Sequence, residues 1–252
     1  MQTLLYQQAH TLFQRGLDLL FPPRCAGCQQ SGSLLCPACL RSMKPLTTPC
    51  CLHCGAPLAQ SAEHCASCQW GAFHLHGLRC VNLYQGALRN AIHALKYQGQ
   101  PRLAEPLGLL LAEAFVRHGL HADALIPLPL HPQRQQQRGY NQATLLARVC
   151  ATHLKVPCLE GGVIRQRATR AQVGLSTQER QQNVLGAFAL TSDTQTRLLA
   201  YHRVVLIDDV ATTGATLEAC AAPLYAAGMH EVWGLVLARP VNLIQDATQG
   251  VL

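Results

Sequence analysis

The chain has 252 residues, of which 49% are hydrophobic and 13% are charged, and its formal net charge is +7. This composition excludes a disordered protein, and no apolar run is long enough to cross a membrane. The excess of positive charge favours an anionic partner, but it does not distinguish diphosphate, nucleic acid and a solvated surface.

The first predicted element is an amphipathic helix within residues 1–22, with Leu5, Ala9, Leu12 and Leu20 near one face. Polar residues interrupt this segment and no small-residue cleavage site follows it, so a signal peptide is not expected. The protein is therefore expected to be cytoplasmic.

A cysteine-rich segment, residues 23–72, follows this helix. The chain has 13 cysteines, and nine of them lie between residues 25 and 68. In a cytoplasmic protein such clustering favours metal binding over disulfides. Eight of the nine form C-x-x-C pairs, a spacing that turns two thiolates toward one tetrahedral zinc ion. The pairs are Cys25/Cys28, Cys36/Cys39, Cys51/Cys54 and Cys65/Cys68.

Two structural zinc ions are predicted, each held by two of these pairs in a closed site that leaves no position for a substrate. Sequential pairing is the simplest arrangement, but the short connecting segments leave an interleaved pairing open. His53 and His64 are alternative ligands. A redox role explains four consecutive C-x-x-C pairs less well.

Strands alternate with helices from residue 75 to residue 245. The predicted strands span 78–83, 124–128, 203–208 and 232–237, and the predicted helices span 86–96, 102–118, 139–153 and 215–227. Alternation of this kind predicts an α/β domain in which helices flank a parallel sheet.

The strongest functional signal follows the predicted strand at 203–208. Asp208 and Asp209 come where the apolar run ends, and a loop of small and hydroxylated residues, 211–216, leads into the next helix. Ligands of parallel sheets bind outside the carboxyl ends of the strands, and a helix N-terminus favours phosphate. Because two carboxylates can accept hydrogen bonds from a vicinal diol, the segment predicts a site for a phosphorylated ribose.

Two other interpretations of this segment explain less. A Walker B strand also ends in acids, but it requires a G-x-x-x-x-G-K-[ST] loop, and the sequence contains no Gly-Lys pair. An ordinary turn capped by threonine explains the threonines but not the two adjacent acids.

The same segment resembles the binding signature for phosphoribosyl diphosphate in type I phosphoribosyltransferases. The resemblance implies that Asp208 and Asp209 are the catalytic acids and hold the ribose hydroxyls, while the loop surrounds the 5′-phosphate. The matching loop residues are Ala211, Thr212, Thr213, Gly214, Ala215 and Thr216. It further implies that Mg²⁺ binds together with the diphosphate.

Further segments extend the resemblance over residues 25–239 to the ComF/GntX family, which is associated with DNA uptake or the use of external DNA. They are the cysteine pairs and residues 126–131, 138–142 and 165–172. The family implies a double zinc ribbon in front of a type I phosphoribosyltransferase-like (Rossmann-like) domain. It also implies a mobile loop at 165–172 and a diphosphate loop, whose residues are Leu128, Pro129, Leu130 and His131.

Positive charge for the diphosphate is assigned to Lys96, Arg167 and Arg170. The five arginines at 134, 138, 165, 167 and 170 fit phosphate contact and a solvated surface equally well. No residue stands out as a base for an acceptor, so the acceptor stays unidentified, and the sequence indicates no oligomeric state.

Three functions are compared. The first is phosphoribosyl transfer, and the second is a non-catalytic sensor of phosphoribosyl metabolites that contacts single-stranded DNA or a DNA-uptake ATPase. The third, a gluconate-linked role suggested by the second half of the family name, has no supporting residues.

Overall fold

The computed structural model describes residues 22–43, 45, 49–56, 58, 63–65, 68, 74–167, 183–184, 186–198 and 200–240. The helix predicted within residues 1–22 lies outside the described residues, apart from Pro22. Residues 168–172 of the loop predicted at 165–172 lie outside them as well.

A four-stranded parallel sheet forms the centre of the molecule. Its strands, in spatial order, are β1 (Gly77–Leu83), β6 (Glu231–Arg239), β5 (Arg203–Val210) and β2 (Ala124–Pro127). In the central pair Val205 lies beside Trp233, and at the β2 side Leu125 lies beside Val205. The sheet confirms the predicted parallel α/β architecture.

A separate antiparallel pair consists of β3 (Val163–Arg165) and β4 (Phe188–Leu190). Neither strand was among the predicted elements. Each has three residues, which is too short for the alternation of apolar and polar residues that identifies a strand in a sequence.

The helices are α1 (Pro37–Ser42), α2 (Gly86–Tyr97), α3 (Ala104–Arg117), α4 (Pro132–Arg138), α5 (Gln142–Leu154), α6 (Ser192–Leu198) and α7 (Ala215–Ala226), with a 3₁₀ turn at Pro101–Leu103. Among these described helices, none combines the length and the apolar character that a membrane crossing requires.

The helix predicted at 139–153 begins later than expected, at Gln142. Asn141 caps it, because the Asn141 side chain accepts a hydrogen bond of 3.0 Å from the amide of Ala143. The preceding α4 ends at Gly139, whose left-handed φ of 83° favours glycine. Residues 139–141 therefore separate α4 from α5, and the first three residues of the predicted helix are not helical.

The core lies on both faces of the sheet, because alternate residues of β5 point in opposite directions. Val205 and Ile207 pack with apolar residues of α2, α3 and α5. Val204 and Leu206 pack on the other face with apolar residues of α7. Both faces of the sheet are thus covered, as expected for parallel strands.

The front of the cysteine-rich segment packs onto the same core. Cys25 and Cys39 are buried in one cluster with Leu88 of α2. The side-chain amide of Asn90 also donates a hydrogen bond of 3.2 Å to the carbonyl of Gly27. This front is therefore attached to α2 by both apolar and polar contacts.

Candidate functional site

Asp208 and Asp209 lie at the carboxyl end of β5. The strand continues to Val210, two residues beyond the predicted end, because its pairing with the long β6 extends to Ala238. Asp208 lies beside Val236 in that register. The two acids therefore belong to a paired strand, which fixes their backbone.

Asp209 is held by a buried ion pair. Its side chain is 2% exposed, and its Oδ2 lies 2.6 Å from Nζ of Lys96 in the last turn of α2. Its Oδ1 accepts a hydrogen bond of 2.9 Å from the amide of Val210. The pair joins α2 to β5 and gives the buried carboxylate a cation.

Asp208 is partly accessible, and its charged form is less favourable than that of an exposed aspartate. Burial raises its pKa well above the usual range, and Asp209 raises it further, while Lys96 lowers it by less. Burial alone lowers the pKa of Lys96, but the carboxylates of Asp209 and Asp208 leave it raised overall. A hydrogen-bond donor that reaches Asp208 therefore relieves an excess of negative charge.

Asp208→Asn is expected to raise the melting temperature near neutral pH. A carboxyl group whose pKa rises on folding binds its proton more tightly in the folded chain, so stability falls as pH rises from about 4 through the folded pKa. Asparagine removes this loss, so the gain over wild type is expected to be largest near pH 7 and to shrink toward about pH 4. Scanning calorimetry across this range measures it, and a lower melting temperature for the variant at neutral pH contradicts it.

A cleft of about 700 Å³ opens beside the acids at the carboxyl edge of the sheet. It brings together seven of the residues predicted for the site, which come from four separate segments. These are Lys96, Leu128, Pro129, Leu130, Asp208, Asp209 and Thr216.

Three arginines that were not assigned to the site also line the cleft: Arg134, Arg138 and Arg165. Burial lowers the pKa of Arg165, Arg134 lowers it further, and Asp208 raises it. Arg138 donates to the side-chain oxygen of Gln142 and lies over the ring of Tyr97. The sequence signal for them was the clustering of arginines at 134–138 and 165–167.

Eight predicted residues are not among those that line the cleft. Five belong to the loop that precedes α7: Ala211, Thr212, Thr213, Gly214 and Ala215. The other three are His131, Arg167 and Arg170. His131 caps α4, where its side chain accepts a hydrogen bond from the amide of Gln133. Arg167 donates a hydrogen bond of 3.1 Å to the carbonyl of Asn183. Arg170 lies outside the described residues. A role for these eight residues in ligand binding stays a prediction.

The loop 211–216 is anchored at its first residue and has a hydrogen bond of its own. Ala211 donates a 3.1 Å hydrogen bond to the carbonyl of Ala238, and the amide of Ala215 donates one of 3.3 Å to Oγ1 of Thr213. Gly214 precedes α7 with a φ of 84°, a left-handed value that favours glycine. The loop thus leads into the helix N-terminus beside the cleft, where Thr216 lines it.

Eight cysteines form two groups in sequential order, and within each group the sulfur atoms lie within 4.8 Å of one another. The first group is Cys25, Cys28, Cys36 and Cys39, and the second is Cys51, Cys54, Cys65 and Cys68. Sequential pairing is confirmed, and the interleaved alternative was wrong. Neither alternative ligand, His53 or His64, belongs to these groups of described residues.

The sulfur geometry fits zinc. The sulfur atoms of Cys28 and Cys36 are 3.7 Å apart, and so are those of Cys54 and Cys65. Four sulfurs placed 2.3 Å from a tetrahedral ion are about 3.8 Å from each other. The amide of Cys36 also points at the sulfur of Cys25, at 3.3 Å, as expected around a thiolate ligand. Each group therefore fits one closed structural zinc site.

Comparisons with known proteins relate the cysteine-rich segment to a zinc-ribbon family and most of the chain to two named proteins. The model of the double zinc ribbon domain matches residues 16–69. Competence protein F of Haemophilus influenzae is 37% identical over 211 residues, which cover 81% of this chain and 90% of that protein. DNA utilization protein YhgH of Escherichia coli is 32% identical over 213 residues, which cover 80% of this chain and 89% of that protein.

A solved structure that overlaps the chain is the glutamine phosphoribosylpyrophosphate amidotransferase from Bacillus subtilis in complex with ADP and GMP. The overlap has a TM-score of 0.35 and 21% identity, and it covers 53% of this chain and 25% of that enzyme. Similarity at this level supports no inference about function.

Proposed function

The chain belongs to the family of competence protein F and the YhgH DNA utilization proteins, and on that premise we propose that its cleft binds phosphoribosyl diphosphate with Mg²⁺ in the cytoplasm. One observation carries the proposal. A pair of acids and three arginines line one cleft at the carboxyl ends of parallel strands, beside the N-terminus of α7.

The charges of the cleft match the parts of this ligand. The ribose hydroxyls donate to Asp208 and Asp209, and a hydroxyl on Asp208 relieves the charge that burial disfavours. The 5′-phosphate lies on the loop 211–216, where the dipole of α7 favours an anion. The diphosphate faces Arg134 and Arg165. Burial lowers the pKa of Arg165, and the nearby positive charge of Arg134 lowers it further.

Magnesium fits the oxygen-rich side of the cleft, because it prefers carboxylates, phosphate oxygens and retained waters. The carboxylates of Asp208 and Asp209 are the acidic groups that line the cleft among the described residues. When bound, the ion neutralises charge on the diphosphate. The residues of the chain supply orientation and the remaining positive charge.

Phosphoribosyl transfer is the reaction that such a ligand makes available. Loss of diphosphate leaves positive charge on the ribose ring and negative charge on the leaving group. Asp208 and Asp209 orient the ribose, and the arginines of the cleft stabilise the leaving group, so catalysis consists of positioning and electrostatic stabilisation. The acceptor is not identified by a base among the residues that line the cleft.

Isothermal calorimetry with phosphoribosyl diphosphate and Mg²⁺ tests the binding proposal, and absence of binding to the wild-type protein refutes it. Release of diphosphate during incubation with a panel of bases and amines tests transfer. If the ligand binds and no diphosphate is released with any acceptor, the site is a sensor and not an enzyme.

A second candidate function, single-stranded DNA binding, is supported by an aromatic residue at the cleft. Tyr97 is 65% exposed, its ring lies 5.0 Å from that of His93, and the guanidinium of Arg138 lies 5.4 Å from it. An exposed ring beside a cation is the arrangement on which unpaired bases stack. A DNA-uptake ATPase is proposed as the protein partner in this role.

Tyr97→Ala is expected to weaken binding of a single-stranded oligonucleotide by about 5- to 160-fold, because stacking on one aromatic side chain contributes about 1–3 kcal/mol. Gel shifts in rising salt measure it, and affinity is expected to fall steeply with salt because phosphate contacts release counterions. Absence of binding by the wild type at low salt removes this candidate.

A further inference from the structure

One arginine side chain connects the second cysteine group to the loop 211–216. We call residues 51–54, which contain Cys51 and Cys54 of this group, the second knuckle. Arg239, the last residue of β6, is 4% exposed and reaches both parts. One guanidinium nitrogen, Nη1, donates to the carbonyl of Cys54, and the other, Nη2, donates to the carbonyl of Thr212 at 2.7 Å.

A second connection holds the other side of the loop. Glu218 lies in the first turn of α7, and its Oε1 is 3.1 Å from Nε2 of His53 in the knuckle. Its Oε2 accepts hydrogen bonds of 2.8 and 3.1 Å from the amides of His74 and Leu75. Thr212 and Glu218 lie on either side of residues 213–216. The knuckle is therefore joined to the chain on both sides of this segment, through Arg239 on one side and directly to Glu218 on the other.

The knuckle has little room to shift relative to the sheet. The amide of Leu78 in β1 donates a hydrogen bond of 2.5 Å to the carbonyl of His53. Gly55 has a φ of 67°, and a Cβ there would lie 2.3 Å from the carbonyl oxygen of Leu78. Only glycine allows this approach, so the backbone around the knuckle is seated directly on β1.

Charge complements this geometry. Four thiolates around one zinc ion formally carry two excess negative charges. Two arginines lie beside the knuckle: Arg239 at the carbonyl of Cys54, and Arg79, which donates to the carbonyl of Leu52 at 2.8 Å. Arg79 also lies over the ring of Trp233, at 4.9 Å, whereas Arg239 is the one that extends to the loop.

We propose that the second knuckle, loaded with zinc, is part of the phosphate site, and that Arg239 is the positioning residue that transmits its geometry to the loop 211–216. This inference rests on the proposed binding of phosphoribosyl diphosphate. A phosphate loop binds tightly when its backbone is already in place, because ordering it on binding costs affinity. Without zinc the four sulfurs no longer converge, and Arg239 loses a fixed acceptor at Cys54.

A purely structural role for Arg239 predicts a different result. In that case its replacement lowers the melting temperature but leaves the affinity of the folded protein unchanged. Affinity for phosphoribosyl diphosphate, measured with Mg²⁺ on the full chain below its melting temperature, therefore separates positioning from stability. Zinc content, measured on the same samples, reports whether the knuckle itself is intact.

Arg239→Gln is expected to retain two zinc ions per chain and to weaken binding of phosphoribosyl diphosphate by about tenfold or more, because the charged donor to Thr212 is lost. Arg79→Gln is the matched control, since it removes a guanidinium from the same knuckle without touching the loop, and its affinity is expected to stay within about twofold of wild type. Equal affinity in wild type and Arg239→Gln overturns the inference.

Arg239→Lys provides a second variant if Arg239→Gln does not fold. Lysine keeps the charge but lacks the planar fork that reaches two carbonyls at once. This variant is expected to fold, keep its zinc and still lose affinity. Wild-type affinity in Arg239→Lys overturns the inference.

Removal of the second zinc ion completes the test. Cys68→Ser is expected to lower the zinc content from two ions to one and to weaken ligand binding, but to cause no further loss in the Arg239→Gln background. If the two losses of affinity add up in the double variant, the inference is overturned, because zinc then affects binding by a route that does not involve Arg239. Failure of the wild type to bind the ligand refutes the proposed function instead, so the two failures are distinguishable.

Discussion

Replacing both Asp208 and Asp209 by asparagine is expected to weaken binding of phosphoribosyl diphosphate by a factor of about 10² to 10⁴. A hydrogen bond to a charged group contributes about 1.5–3 kcal/mol, and the double variant removes the charge from both acceptors of the ribose hydroxyls. Calorimetry with the ligand and Mg²⁺ on wild type and variant measures the loss.

Asp123→Asn is the matched control for this experiment. Asp123 lies at the opposite end of β5, where its carboxylate accepts hydrogen bonds of 2.8 Å from the amides of His202 and Arg203. The Asp123→Asn substitution removes one carboxylate and leaves the residues of the cleft unchanged, so the variant is expected to bind phosphoribosyl diphosphate with wild-type affinity. Asp208→Asn alone repeats the test in a variant expected to be stable, and equal binding by wild type and the double variant would falsify the site.

The acids of the site could be predicted from the sequence because the whole signal lies in one short segment. Asp208, Asp209 and the loop 211–216 lie within nine residues of the chain, at the end of one strand. The arginines required the fold, since Arg134 comes from α4 and Arg165 from β3. Local sequence contains no information on which of several arginines will face one cleft.

The elements of the fold were predictable to different degrees for the same reason. Long apolar runs identified β5 and β6, and the C-x-x-C spacing identified both cysteine groups. α4 was missed because its sequence, PQRQQQR, buries no residue and so has no apolar face to recognise. The sequence predicted zinc sites, but it did not indicate that Arg239 connects Cys54 to Thr212.

Lys96 illustrates the limit of a charge assigned from sequence alone. It was assigned to the diphosphate, and it does line the cleft, but its Nζ lies 2.6 Å from the carboxylate of Asp209. Because α2 and β5 are distant in sequence, only the packing of the helix on the sheet brings these two groups together. In the absence of ligand, the first role of Lys96 is thus to balance a buried acid.

Lys96→Met is accordingly expected to lower the free energy of unfolding by about 3–5 kcal/mol, because it leaves the carboxylate of Asp209 buried without its cation. Asp209→Asn is expected to destabilise for the converse reason. The double variant is expected to cost less than the sum of the two, since neither charge is then left alone. Urea unfolding at neutral pH measures all three values.

Arg89→Met supplies the comparison on the same helix. Arg89 is exposed on α2, so its replacement is expected to change the free energy of unfolding by no more than about 0.5 kcal/mol. A loss for Lys96→Met as small as that for Arg89→Met would mean that the pair with Asp209 does not stabilise the fold. Strict additivity of Lys96→Met and Asp209→Asn would mean that the two groups act independently, against the 2.6 Å contact that joins them.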